Sequence, residues 1–113
     1  MHPAWLLRDG EVLAAAEVAR SFPDRARGVI GRPGFDGAMV LTRTRAVHTA
    51  FLRSPLDVAF LDPDLVVIDM ARFSPWRFSL PRLRARCVVE APAGAFERWG
   101  LRVGDRLEIR EVR

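Results

Sequence analysis

Between residues 38 and 70, turn signals cut the chain into largely apolar runs of four to six residues, too short for ordinary helices. The runs are 38–41, 47–52, 58–61 and 65–70, with Asp36-Gly37, Ser54-Pro55 and Asp62-Pro63-Asp64 around them. Gly frees φ, Pro fixes it, and Asp bonds its own backbone, so such clusters turn the chain. The runs are rich in β-branched and aromatic side chains, which fit a pleated surface. Residues 58–61 are apolar at every position, the pattern of a strand covered on both faces.

The flanking segments are consistent with this reading. Trp5-Leu6-Leu7, Asp9-Gly10 and residues 11–19 read as a hairpin, because Asp-Gly favours the positive φ of a tight turn. The second arm is Ala-rich, so strand and helix both stay open there. Ser21-Phe22-Pro23-Asp24 opens a helix, with Ser21 as cap. Phe22, Ala26 and Val29/Ile30 would form its apolar stripe, with Arg20, Arg25 and Arg27 toward water and Gly31 and Pro33-Gly34 as its end. In residues 84–91, Ala85, Cys87, Val89 and Ala91 point one way and Arg84, Arg86 and Glu90 the other. A helix over 93–99 closed by Gly100 and a strand over 102–112, with Leu107 and Ile109 inward, complete the chain. The expected fold is α+β: about seven short, mostly antiparallel strands, closed in part as a barrel, with two short helices. No βαβ spacing repeats, which argues against a doubly wound parallel sheet. At 113 residues the expectation is one domain over residues 1–113.

The formal charge is +4, and all 18 basic residues are Arg. Lys, Asn, Gln and Tyr are absent, so the high pI reflects compositional bias. A charge of +4 favours weak attraction to anions over a dedicated polyanion grip. The single cysteine, Cys87, allows no internal disulfide and suits a reducing compartment. No apolar stretch reaches membrane-spanning length, and the short apolar start is followed at once by charge. A cytoplasmic protein without membrane association is expected.

Three segments resemble a known family. Asp24-Arg25-Ala26-Arg27-Gly28-Val29-Ile30-Gly31-Arg32 is similar to the acidic-Arg-x-x-Gly-Leu-Met-x-Arg helix of the DUF192 family. Val47-His48-Thr49, followed by Phe51-Leu52-Arg53-Ser54-Pro55-Leu56-Asp57-Val58-Ala59-Phe60-Leu61-Asp62, resembles its central signature. Cys87, Val89-Glu90-Ala91-Pro92-Ala93-Gly94 and Gly100-Leu101-Arg102-Val103-Gly104-Asp105 resemble its C-terminal part. Departures at Val29-Ile30, Leu52 and residues 37–41 keep apolar volume. The resemblance implies a mostly β α+β domain and supplies no reaction.

Chemistry concentrates near His48, Arg53 and Asp57. Histidine is the residue type suited to base or anion-donor work, which makes His48 the natural candidate. Pro55 holds Ser54 extended, and Asp57 opens the apolar strand, free to order Arg53 or His48 or to bond turn amides. The leading expectation is a non-enzymatic binding or accessory domain, with a shallow site for a small polar or anionic ligand lined by His48, Arg53 and Asp57. A first alternative is an enzyme using His48, the one weak catalytic candidate, with Asp57 as orienter. A second is weak single-stranded nucleic-acid binding through Arg72, Trp76, Arg77, Arg84 and Arg86, cations interleaved with rings. Cys87 reads as packing. No metal is expected, because His2 is terminal, Cys87 stands alone and Asp62/Asp64 suit a turn. No cofactor fingerprint is present. The oligomeric state is left open.

Overall fold

The computed structural model describes residues 1–30 and 35–112. Seven strands are described: β1 (His2–Arg8), β2 (Glu11–Ala19), β3 (Ala38–Thr42), β4 (Leu56–Leu61), β5 (Val67–Phe73), β6 (Cys87–Pro92) and β7 (Glu108–Glu111). Two short helices, α1 (Phe22–Arg27) and α2 (Ala95–Trp99), accompany them. The strands form one mixed sheet in the order β5-β4-β6-β3-β2-β1-β7.

Asp9 and Gly10, at φ 52° and 79°, make the turn that pairs β1 with β2, so the Ala-rich arm is a strand. β2 and β3 are parallel, and the other pairs are antiparallel. A parallel pair needs a crossover, and α1 lies in it.

β4 is buried along its whole length, as its uniform apolarity predicts. Its alternate residues feed two separate cores. Ala59 and Leu61 join Val40, Cys87, Val89 and Phe96 on the face that carries α2. Leu56, Val58 and Phe60 join Met39, Leu41 and Val88 on the other face. No described helix is long and apolar enough to cross a membrane.

Three expectations are corrected. The sheet is not a barrel: β5 and β7 lie at opposite edges. The chain before β7 meets the chain before β5 in a single described bridge, Val66 with Arg106, and no ladder extends from it. Residues 47–52 do not join the sheet. They pair loosely with residues 76–82 through Thr49 N–H to the Arg77 carbonyl (2.8 Å) and Ser79 N–H to the Val47 carbonyl (2.9 Å). Pro75 and Pro81 bring no N–H, and Phe51 and Trp76 sit at positive φ, so regular pairing stops at the His48–Phe78 bridge. The final strand is confined to Glu108–Glu111, because residues 102–105 form a turn closed by Asp105 N–H to the Arg102 carbonyl. The helix end expected at Gly31 and Pro33-Gly34 lies outside the described residues, and α1 stops earlier, at Gly28.

Phe60 is fully buried and Phe78 is 74% exposed. Phe60→Ala should therefore cost about 3–5 kcal/mol in urea unfolding. Phe78→Ala should stay within about 0.5 kcal/mol of the parent.

Candidate functional site

Ser21 starts α1 by accepting the Asp24 N–H at 3.2 Å, and Pro23 occupies the first turn, where its missing N–H costs nothing. Six residues give less than two turns. Phe22 is 75% exposed and no residue of α1 is buried, which corrects the expected apolar face. The chain enters the core only at Val29. Beneath the helix a cavity of about 250 Å³ remains. Val29, Ile30, Leu41, Val47 and Leu52 supply aliphatic wall; Arg25, His48 and Glu90 supply polarity.

Glu90 pairs with Met39 of β3 and Val58 of β4. Sequence alternation groups it with Arg84 and Arg86 toward water, but it is 3% exposed. A period of two assigns a face, and β6 lies between two strands with both faces covered. Gly28, at φ 51°, comes so close that a Cβ there would stand 2.8 Å from Glu90 Oε1. No described residue gives the carboxyl a hydrogen bond, and Oε1 is buried. Burial pushes its pKa up to about 8, so the group keeps its proton at neutral pH.

His48 Nε2 lies 3.0 Å from the Ala26 carbonyl. A carbonyl only accepts, so Nε2 carries the hydrogen. Nδ1 is buried and without a partner among the described residues. Arg25 does not face water as expected. One terminal nitrogen donates to the Thr42 and Arg43 carbonyls at 3.2 and 2.8 Å, while its Nε–H is buried and unpartnered. Arg25 Nε, His48 Nδ1 and Glu90 Oε1 are the three buried side-chain polar atoms without partners among the described residues. All three residues line this one cavity.

The expected trio is not brought together. His48 lines the cavity; Arg53 is an exposed turn residue and does not appear in the wall. Asp57 shares the face of Ala59 and Leu61, on the other side of the sheet. Its Oδ1 accepts Arg72 Nε at 2.9 Å. Its Oδ2 accepts the Gly94 and Phe96 N–H groups at 2.9 and 3.2 Å. Gly94 has no side chain with which to cap α2, so Asp57 caps it from β4 and does not orient His48. Of the arginine-aromatic residues, Arg72 is held by Asp57, whereas Trp76, Arg77, Arg84 and Arg86 are exposed. The Trp76 ring packs edge-on against Phe51 at 4.7 Å. Cys87 is buried, with its thiol pushed up to about 11, first by burial and then by Asp62, so it offers little thiolate. Asp62 Oδ1 accepts the Asp64 and Val66 N–H groups, as its turn predicts.

Residues 5–109 match the DUF192 family, described as Uncharacterized ACR, COG1430. The UPF0127 protein PF1050 of Pyrococcus furiosus is 38% identical over 103 residues, 87% of this chain and 89% of that one. The fold is similar to the crystal structure of a protein of unknown function from Novosphingobium aromaticivorans. The TM-score is 0.77 at 23% identity, covering 94% of this chain and 83% of that one. It is also similar to that of a Sinorhizobium meliloti protein described as a candidate transcription regulator. There the TM-score is 0.79 at 24% identity, covering 96% and 92%. At these identities the structural likeness concerns fold alone.

Two measurements check the roles of the acids. The folded state holds the Glu90 proton up to about pH 8, whereas the unfolded chain releases it near 4.5. Between those values the folded state binds more protons, so stability should fall as pH rises, by roughly 1 kcal/mol per pH unit. Glu90→Gln should flatten that part of the profile in urea midpoints taken across the window. Asp57→Ala strands two backbone N–H groups of α2 and should cost about 2–4 kcal/mol by the same assay. Arg72→Ala, at an exposed partner, should have a much smaller effect.

Proposed function

Because the chain belongs to the DUF192 family, a name with no activity to inherit, we propose a function from the cavity: it holds a small, partly apolar ligand. The supporting observation is an aliphatic-walled space whose lining includes Arg25, His48 and Glu90, residues that each carry a buried polar atom without a partner among the described residues. Buried polar groups are almost always satisfied, and each orphan costs about 1–3 kcal/mol. At about 250 Å³ the space equals roughly eight waters, which suits a ligand on the order of ten heavy atoms. The expected polar or anion-preferring site is thus kept at His48, while Arg25 and Glu90 take the places expected of Arg53 and Asp57.

Binding is favoured over catalysis. The Nε2 proton of His48 is directed at a backbone carbonyl, and the carboxylate expected to orient the ring caps a helix on the far face. We place this one-domain binding module in the cytoplasm, where a lone thiol such as Cys87 stays reduced. A second reading has its own observation: Trp76 and Phe78 are exposed near Arg77, a surface suited to weak stacking on single-stranded nucleic acid.

One titration separates the readings. In two-dimensional amide NMR, a panel of small amphiphilic fragments should shift residues 25–30, 41–48 and 90. A short single-stranded oligonucleotide should shift residues 76–86 if the second reading holds. Fragments that leave the cavity amides unmoved would overturn the first.

A further inference from the structure

The two irregular limbs, residues 47–52 and 76–82, and the residue just beyond them carry a group of large apolar side chains on the surface. Phe51, Trp76, Phe78, Leu80 and Leu83 are each 57–82% exposed. The limbs hold them together. The Phe51 and Trp76 rings meet at 4.7 Å, Phe78 stands in the bridge opposite His48, and Leu80, two residues on, takes the same side of the limb as Phe78. Pro75, Pro81 and the positive φ of Phe51 and Trp76 keep these limbs out of the sheet. An exposed apolar side chain standing alone needs no explanation, but a group of this size marks a contact surface.

Charge selects the occupant. Residues 37–56 and 70–89, which contain both limbs, hold eight Arg and no Asp or Glu. Arg72 and Arg82 are held by Asp57 and Asp69. The other six are exposed, and none is ion-paired with a described residue. A second copy of the chain would set these cations against their own kind. A single nucleic-acid strand stacks on rings, but Leu80 and Leu83, the most exposed of the five, have none, and Trp76 is already packed edge-on by Phe51. A protein partner seats its anchors in pockets; neither described cavity includes any of the five, so an acidic protein would have to bring a fitted hole for each. A lipid surface accepts protruding rings and aliphatic chains without a fitted shape, and its anionic heads attract arginine. No described helix can cross a membrane, but lying on one needs no such helix.

We propose that this face docks on an anionic phospholipid surface, with Phe78, Leu80 and Leu83 entering the headgroup layer and the surrounding arginines meeting lipid phosphates. The proposal uses none of the cavity's contacts, so either can fail without the other. The intact chain is sedimented with vesicles of phosphatidylcholine alone and with vesicles containing about one-third phosphatidylglycerol. Binding to the anionic vesicles should be at least about tenfold tighter and should weaken as salt rises. Arg77→Gln with Arg84→Gln should weaken it roughly twentyfold, about fivefold for each cation lost. Phe78→Ser, Leu80→Ser and Leu83→Ser together should weaken it by at least about tenfold at an unchanged urea midpoint, because all three side chains are exposed. Lipids brominated on the acyl chain should quench the parent's fluorescence and leave Trp76→Phe, which keeps Trp5 and Trp99, unquenched. That readout decides the matter even if the serine variant does not fold. Absent sedimentation, equal affinity for neutral and anionic vesicles, an unquenched parent, or full competition by soluble glycerol 3-phosphate overturns the proposal. So does a folded serine variant that binds like the parent. Tighter binding of an acidic peptide or of a thymidine oligonucleotide also overturns it, the oligonucleotide returning the surface to the second reading above.

Discussion

Neighbouring strands β4 and β6 have almost no face turned to water, and the arrangement follows from that constraint. A strand in this position needs partners on both sides and cover above and below. β6 pairs with β3 and β4, and α2 with Leu101 covers one face. The opposite face lies under α1, which is one residue longer than α2 and has no buried residue. It is roofed by Val29 after α1 and by the irregular residues 47 and 85, which pack on Val58, Phe60 and Val88. The roof is thinner, and the gap in it is where polar side chains meet aliphatic ones.

That asymmetry explains why one acid has both oxygens hydrogen-bonded and the other has none. Asp57 and Glu90 both lie on buried strands and are nearly inaccessible. Asp57 faces a helix start and an arginine, and these satisfy both its oxygens. Glu90 faces the thin roof, where Gly28 presses against it without offering a donor. A carboxyl kept there at a cost to stability is the kind of compromise that functional sites retain.

Much of the fold was legible in the chain. The hairpin at Asp9-Gly10, the uniform burial of β4, the inward side of Cys87, Val89 and Ala91, and the short helix before Gly100 all follow from local pattern. The sheet order was not, since β6 inserts between β3 and β4 by long-range pairing that no local signal encodes. The same gap hid half of the site. His48 was visible as a titratable side chain. Glu90 read as outward because alternation gives sides and says nothing of what covers each side. The available signal was its neighbours: an acid within Val88-Val89-Glu90-Ala91, apolar on both parities, marks an interior strand. Arg25 read as a solvent residue because the 3.6-residue period puts it opposite Phe22 and Ala26, whereas α1 buries no residue and its Arg25 turns to the Thr42 and Arg43 carbonyls.

The register of β1 against β7, with Ala4 opposite Glu111 and Leu7 opposite Glu108, has a consequence for biogenesis. That edge joins the first strand to the last, across nearly the full chain. During synthesis on a ribosome, the β1–β2 hairpin must wait with one rim bare until residues 108–111 leave the exit tunnel. Such late, distant closure slows maturation and leaves the nascent hairpin a target for chaperones or for pairing with another unfinished copy.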